Sequence, residues 1–352
     1  MHIFIAITTT LLLLLVEQYV VCANKSSTAS VKQCENDQLC VDISLCEKLS
    51  KYKGDIIGAA ICGSDHETEH RKICCQVPLE NKINTPDCGL PTENRILIPT
   101  YNLYENPWMA LIRDWRKRIF CSGTLIAKSF ILTAASCVFA SINGSSVRVG
   151  EYHLSRKVDC LNDGFECADP PLDVAVVAFI AHPKYDPITR ENDIALLKIV
   201  PVDFSKSVRP ICLSSDWQQR GSLVGWHSSS LPSKTIVSVV GNEKCTQTVE
   251  EYNDGTRKMY DKICVRMELS GDCEDSRQFT LPGSSFQVGF HPDGRLVQQG
   301  LWLDTSYCVK SERILYGVLT NVTIYMDWIK NTTEYYGFDQ KEDGNLLPTP
   351  IF

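Results

Sequence analysis

Cysteine usage constrains this chain more than any other feature. There are 17 cysteines, and how they are read depends on the first 23 residues. "MHIFIAITTTLLLLLVEQYVVCA" has an apolar stretch from Ile3 to Val16, a polar break at Glu17 and Gln18, and a small residue, Ala23, at a cleavage point. That order reads as a secretory signal peptide, residues 1–23. The break comes before the ~20 apolar residues that a membrane-spanning helix needs. No other stretch is long enough to cross a bilayer. Cleavage after Ala23 takes Cys22 from the 17 and leaves 16, an even set. In a secreted chain such a set implies a disulfide framework. No Cys-x-x-Cys pair occurs, which argues against a zinc site built on thiolate pairs.

The first six mature cysteines, Cys34, Cys40, Cys46, Cys62, Cys74 and Cys75, crowd into one short segment. A segment of that size buries too little apolar area to stand alone, so its bridges are its main staple. Six cysteines allow fifteen connectivities, and spacing does not choose among them. "QVPLENKINTPDCGLPTENR" follows, polar and with three prolines, and reads as a linker.

Beyond the linker, short β-rich runs alternate with turn signals: "PWMALIRDW", "RIFCSGTLI", "SFILTAA", "SVRVGEY", "VAVVAFIAH", "DIALLKI", "SLVGWH" and "TIVSVVG". This spacing predicts an all-β barrel or sandwich. Near the end Val322, Tyr325, Met326 and Ile329 recur at helical spacing and predict a terminal amphipathic helix. Residues 337–352 read as a tail. Hydrophobic content of 44% supports an ordinary core, and a net charge of -7 without a basic block argues against a nucleic-acid partner.

Two resemblances follow from these patterns. Four single cysteines followed by an adjacent pair look like the clip domain of arthropod extracellular serine proteases, here residues 33–76. After a linker, 77–95, the segment 96–336 resembles the chymotrypsin-like serine protease domain. "ENPWMALI", "FCSGTLI…FILTAASC", "AHPKYDPITRENDIALLKI", "VRPICL", "LVGW" and "GVLTNVTIYMDWI" stand in that family's order and spacing. The resemblance implies two six-stranded antiparallel β-barrels and a C-terminal helix. It also implies a full set of pairings: Cys34–Cys74, Cys40–Cys62, Cys46–Cys75, Cys88–Cys212, Cys121–Cys137, Cys160–Cys167, Cys245–Cys264 and Cys273–Cys308.

The chemistry implied by that family needs a nucleophilic hydroxyl, a base to take its proton, a carboxylate to orient the base, and backbone donors for the oxyanion. Asp193 stands at the carboxylate position. The base position in "TAASC" is Ser136, whose hydroxyl does not titrate near neutral pH and cannot act as imidazole does. None of the seven histidines lies beside it; His153, His182, His227 and His291 belong to other segments. After Cys273 the chain reads "EDSRQFTLPGSSFQV". In one register Leu281 replaces the motif aspartate and Pro282 the serine, with Ser284 and Ser285 following. In the other, Asp275-Ser276 keep the Asp-Ser pair but Arg277 and Gln278 replace both glycines. Neither register yields a nucleophile on a glycine turn, and Pro282 has neither hydroxyl nor amide hydrogen. Ser276, Ser284 and Ser285 read as loop serines. Arg95-Ile96 offers the basic–Ile junction at which the family is cut, but Leu281 offers no acceptor for a new amino terminus.

The expectation is therefore a pseudoenzyme, secreted into haemolymph. By resemblance it regulates an extracellular protease cascade such as prophenoloxidase activation and melanisation. Its implied partners are clip-domain proteases, prophenoloxidase or another protease homologue. Rival readings are a residual serine-type endopeptidase using Ser276 or an imported base, or a microbial-surface or matrix adhesion protein. Acceptor patterns for glycosylation occur at Asn24, Asn143, Asn321 and Asn331, with Asn143 in the clearest loop. Clip cleavage after Lys51, Lys53 or Arg71 is a further candidate control point. The acidic 151–167 loop, with Glu151, Asp159, Asp163 and Glu166, corresponds to a Ca2+ loop in some relatives; it lacks EF-hand spacing and reads as a solvated loop, with no cofactor expected.

Overall fold

A computed structural model describes residues 38–42, 61–64, 71–76, 82–90, 103–139, 145–161, 164, 166–226, 231–269, 280–290 and 294–336. Residues 1–23, Cys34, Cys46, Lys51, Lys53, Arg95, Asn143, Cys273, Ser276 and the 337–352 tail lie outside these. The chain divides into two compact units, Met1–Val77 and Pro78–Phe352.

The first unit contains a three-stranded antiparallel sheet, β1 (Gln38–Asp42), β2 (Ile61–Ser64) and β3 (Arg71–Gln76), in the order β1-β3-β2. Cys74 is buried and disulfide-bonded.

The second unit holds two barrels. β4 (Met109–Arg113), β5 (Ile119–Ala127), β6 (Phe130–Thr133), β7 (Ser146–Val149), β10 (Leu172–Ala181) and β11 (Ala195–Ile199) close in the order β10-β11-β6-β5-β4-β7. β8 (Cys160–Leu161) and β9 (Glu166–Cys167) form a small ribbon between β7 and β10. Strands β4, β6 and β11 are buried along their whole length. Their near-continuous apolar runs reflect burial on both faces, inside the barrel and against its neighbours. On β7 burial alternates with the strand period of two. There Arg148 and Asp173 stand opposite each other across β7 and β10. They form a forked pair at 2.7 and 2.9 Å, joined by Arg113 from β4 at 3.0 Å. The guanidinium of Arg148 holds the Asp173 carboxyl below its usual value, with Arg113 adding to the effect.

The second barrel is built from β13 (Arg220–Trp226), β14 (Pro232–Val240), β15 (Lys262–Glu268), β16 (Ser285–Phe290), β17 (Arg295–Val309) and β18 (Ile314–Asn321). They run β17-β16-β13-β14-β15-β18, and β17–β18 pairing closes the ring, with β12 (Cys212–Leu213) added in parallel to β17. Short helices α1 (Ala135–Phe139), α2 (Asn242–Thr248) and α3 (Glu250–Asn253) lie in connections. The terminal helix starts as a 3₁₀ turn, Val322–Tyr325, capped by the Asn321 side chain, and continues as α4, Met326–Tyr336. Val322, Tyr325 and Ile329 are its buried stripe, as the helical spacing requires.

Buried amides tie the barrels together. Trp108 Nε1 donates to Gln287 Oε1 at 2.9 Å, Gln287 in turn bonds to Asn106, and Thr124 bonds to Gln298. Such side chains are tolerated inside because each makes a hydrogen bond, although the Asn106 amide nitrogen has no partner among the described residues. Disulfides join Cys88–Cys212, Cys121–Cys137, Cys160–Cys167 and Cys245–Cys264, and Cys308 is also disulfide-bonded. Residues 82–90, inside the stretch that reads as a linker, are held on this unit. Asn84 exchanges two hydrogen bonds with the Leu213 backbone, and the Gly89 backbone bonds to Pro210 and Leu296. Polar composition hid this docking, because backbone and amide hydrogen bonds carry it. No helix among the described residues is long and apolar enough to cross a membrane.

Candidate functional site

Asp193 sits at the end of the loop before β11 and is fully buried. Its Oδ1 accepts the backbone amide of Ser136 at 2.7 Å. Its Oδ2 faces Arg190 Nη1 at 3.3 Å. The loop that supplies Arg190 takes positive φ at Arg190 (59°) and Asn192 (54°). Asp186 organises this loop by accepting the amides of Ile188 and Thr189. Burial pushes the Asp193 carboxyl above its usual value, against the opposing pull of Ser136, Arg190 and Lys262.

Neither described histidine near the sequence motifs bonds to Asp193. His153 Nδ1 faces Ser155, while His182 packs edge-on against Tyr325 and Trp328. His227 and His291 lie outside the described residues.

A second charge pair lies close by. Lys262 Nζ and Asp261 Oδ1 are 2.6 Å apart, and both side chains are completely buried. Asp261 Oδ2 accepts the Asn192 amide at 2.7 Å and the Tyr325 hydroxyl at 2.8 Å. Burial lowers the Lys262 ammonium, with Asp261 pulling the other way. Thr320 donates to the Asp193 carbonyl at 2.9 Å. The carboxylate therefore belongs to a network that crosses from the first barrel to the second.

On the second barrel, Leu281-Pro282-Gly283-Ser284 forms a β-turn, closed by Ser284 N donating to Leu281 O at 3.2 Å. Proline stands at its second position and glycine, with φ +83°, at its third, as a type II turn requires. A Cβ on Gly283 would lie 2.1 Å from the Ser122 carbonyl, so only glycine fits. The tight turn that sequence reasoning expected to be disrupted is therefore present, made by a Pro-Gly pair. Its donors, however, are spent. Leu281 N donates to Trp226 O, Gly283 N to Trp302 O, Ser284 N to Leu281 O, and Pro282 has no amide hydrogen. Pro282 O accepts from Ser122 N at 2.8 Å and lies 3.7 Å from Cys137 Sγ, which brings it to the Ser136 loop.

Ser284 is buried, and its hydroxyl is 2.9 Å from that of Thr280. Ser285 is also buried on β16, with no partner for its hydroxyl among the described residues. Neither serine faces Asp193 or Ser136 through a hydrogen bond. Beside the turn, the indole of Trp302 is buried against Gly317, where an added Cβ would meet ring atoms at 2.3 Å. The Trp302 backbone pairs with the turn, accepting from Gly283 N and donating to Ser284 O, both at 2.8 Å.

Sequence reasoning placed Ser136, Asp193 and Pro282, and it missed Arg190, Lys262 and Trp302. Arg190 had a local signal, standing three residues before Asp193 in "TRENDI". The Trp302–Gly317 contact had none, since it depends on pairing between β17 and β18. Asn331 is exposed on α4, while Asn321 uses its side-chain oxygen as the cap. No three metal-ligating side chains come together among the described residues. In the acidic loop Glu151 is buried and paired with Arg148 at 3.1 Å.

The trypsin family matches residues 99–276, a span that includes Ser136 and Asp193 and stops before the Pro-Gly turn. A clip domain-containing serine protease, HP8, of Bombyx mori is 32% identical over 282 residues, covering 71% of this chain and 73% of that protein. Phenoloxidase-activating factor 3 of Holotrichia diomphalia is 37% identical over 155 residues, 40% of this chain and 44% of that protein. The crystal structure of the Drosophila Grass clip serine protease of the Toll pathway superposes with a TM-score of 0.60 at 27% identity, covering 78% of this chain and 84% of that one. With its two barrels, its bridges and these relatives, the chain belongs to the clip-domain branch of the trypsin family.

Proposed function

We propose that this chain is a secreted, non-catalytic member of the family that regulates an extracellular immune protease cascade such as prophenoloxidase activation. The observation that carries the non-catalytic reading is the state of the Pro-Gly turn. Each amide from Leu281 to Ser284 is either absent or already bonded to a carbonyl, and the residue at its corner, Pro282, has no hydroxyl. Acyl transfer needs both a nucleophile and free donors at one point. At the other end Ser136 bonds its amide to Asp193, and Arg190 balances the charge that would otherwise orient an imidazole. The cascade reading is supported by the relatives, one named a phenoloxidase-activating factor and another a protease of the Toll pathway. Clip-domain proteases, prophenoloxidase and other homologues are the proposed partners.

Two measurements test this. Purified protein cut at Arg95 should neither hydrolyse arginyl esters nor label with a fluorophosphonate. Labelling that disappears in Ser276→Ala would establish a residual peptidase and overturn the non-catalytic reading. Depletion from haemolymph should change the rate of melanisation. An unchanged rate, with the protein recovered only on microbial surfaces, would replace the cascade role with adhesion.

A further inference from the structure

The hairpin joining β4 to β5 carries "DWRKR", residues 114–118, at its tip. The tip is fixed from within. Asp114 is buried, and its Oδ1 accepts the amides of Arg116 (2.9 Å) and Arg118 (2.8 Å). Its Oδ2 takes the Arg118 guanidinium at 2.7 Å. Lys117 adopts φ +63° to complete the reversal. The only carboxylate of the tip is therefore consumed in holding it.

What remains faces outward. Trp115 is 61% exposed, an unusual placement for the largest apolar side chain. The Arg116 guanidinium carbon lies over its ring, 4.4 Å from the centroid, a cation–π contact that holds the charge beside the indole. Arg116 and Lys117 are exposed and have no carboxylate partner among the described residues. Two open cations beside an exposed indole thus stand on a chain whose net charge is -7.

We propose that this tip docks an acidic, extended segment of a partner protein, with carboxylates on Arg116 and Lys117 and an apolar side chain on Trp115. Charge complementarity selects an anion, and Arg116 presents the forked donors that carboxylates match. The patch is too small for a long sulfated polysaccharide or a lipid surface, and the acidic remainder of the chain would repel either one. A short peptide needs contact only at the tip. The proposal does not rest on the catalytic state of the site, because labelling and peptide binding read different surfaces.

The test is fluorescence anisotropy on the full chain with a fluorescein-labelled synthetic peptide of about ten residues, rich in Glu and Asp around one Leu. Wild type should bind, more weakly as NaCl is raised. Arg116→Glu/Lys117→Glu should weaken binding by about tenfold or more, and Trp115→Ala by about threefold. Arg257→Glu/Lys258→Glu, a basic pair on another loop, should stay within about twofold of wild type. If charge reversal disturbs folding, Arg116→Ala, which leaves every Asp114 contact in place, supplies the same reading. No binding, or binding insensitive to all the tip variants, refutes the proposal. Tip-dependent binding of heparin fragments or phosphatidylserine vesicles in preference to the peptide refutes the choice of a polypeptide partner.

Discussion

On the first barrel the site is a set of charges held by hydrogen bonds; on the second it is a turn paired through its backbone with Trp302, whose indole is buried. Asp193 is surrounded by donors: Ser136, Arg190 and, further off, Lys262. The Pro-Gly turn has spent its donors on carbonyls, one of them that of Trp302, whose indole is buried against Gly317. The first arrangement depends on charge, so pH and ionic partners govern it. The second depends on volume and should respond to the size of a side chain and hardly to pH.

The largest effect should come from the packed half. Trp302→Ala removes a fully buried indole and should cost about 3–5 kcal/mol in urea unfolding. A cost below about 1 kcal/mol would mean that the indole does not fill the space against Gly317. Gly317→Ala inserts a methyl into the same ring and should cost about 1–3 kcal/mol. Its cost should largely vanish in the Trp302→Ala background, since the clash is pairwise.

The charged half should behave differently. Asp193→Asn keeps the acceptor for the Ser136 amide and replaces a buried carboxyl by a neutral amide of the same shape, with an effect of about 1 kcal/mol. Because burial raises the Asp193 carboxyl, its advantage over the amide is fully present below the unfolded value of about 3.9. That advantage is lost as pH rises through the folded value. Asp173→Asn supplies the opposite sign. The Arg148 guanidinium lowers the Asp173 carboxyl, so the wild-type advantage is present above about pH 3.9 and is lost as pH falls through the folded value. Solvent screening of this partly exposed pair keeps the effect under about 1 kcal/mol. Identical pH profiles for the two variants would collapse the distinction between buried and exposed pairs.

The first barrel was legible because its strands are apolar runs between turn signals, from "MALIR" to "ALLKI". The later strands were harder to read. β17 carries Gln298 and Gln299, both fully buried, in "RLVQQGLWLDTSYCV", and a polar pair inside a strand breaks the expected pattern. Those glutamines are affordable only because partners distant in sequence satisfy them. The site was legible where single residues carry it, at Ser136, Asp193 and Pro282. It was not legible where it depends on two strands meeting, as at Trp302 and Gly317.

The bridge between Cys88 and Cys212 spans 124 residues and encloses Arg95. Hydrolysis after Arg95 would therefore yield two polypeptides that remain one particle. The short product stays anchored to the long one through sulfur, and its residues 82–90 keep their backbone bonds to Pro210, Leu213 and Leu296. Size measured without reductant would not change on cutting; only reduction would separate the pieces. Any signal delivered by such a cut would have to be a change of shape within a retained assembly, because nothing is set free to diffuse away.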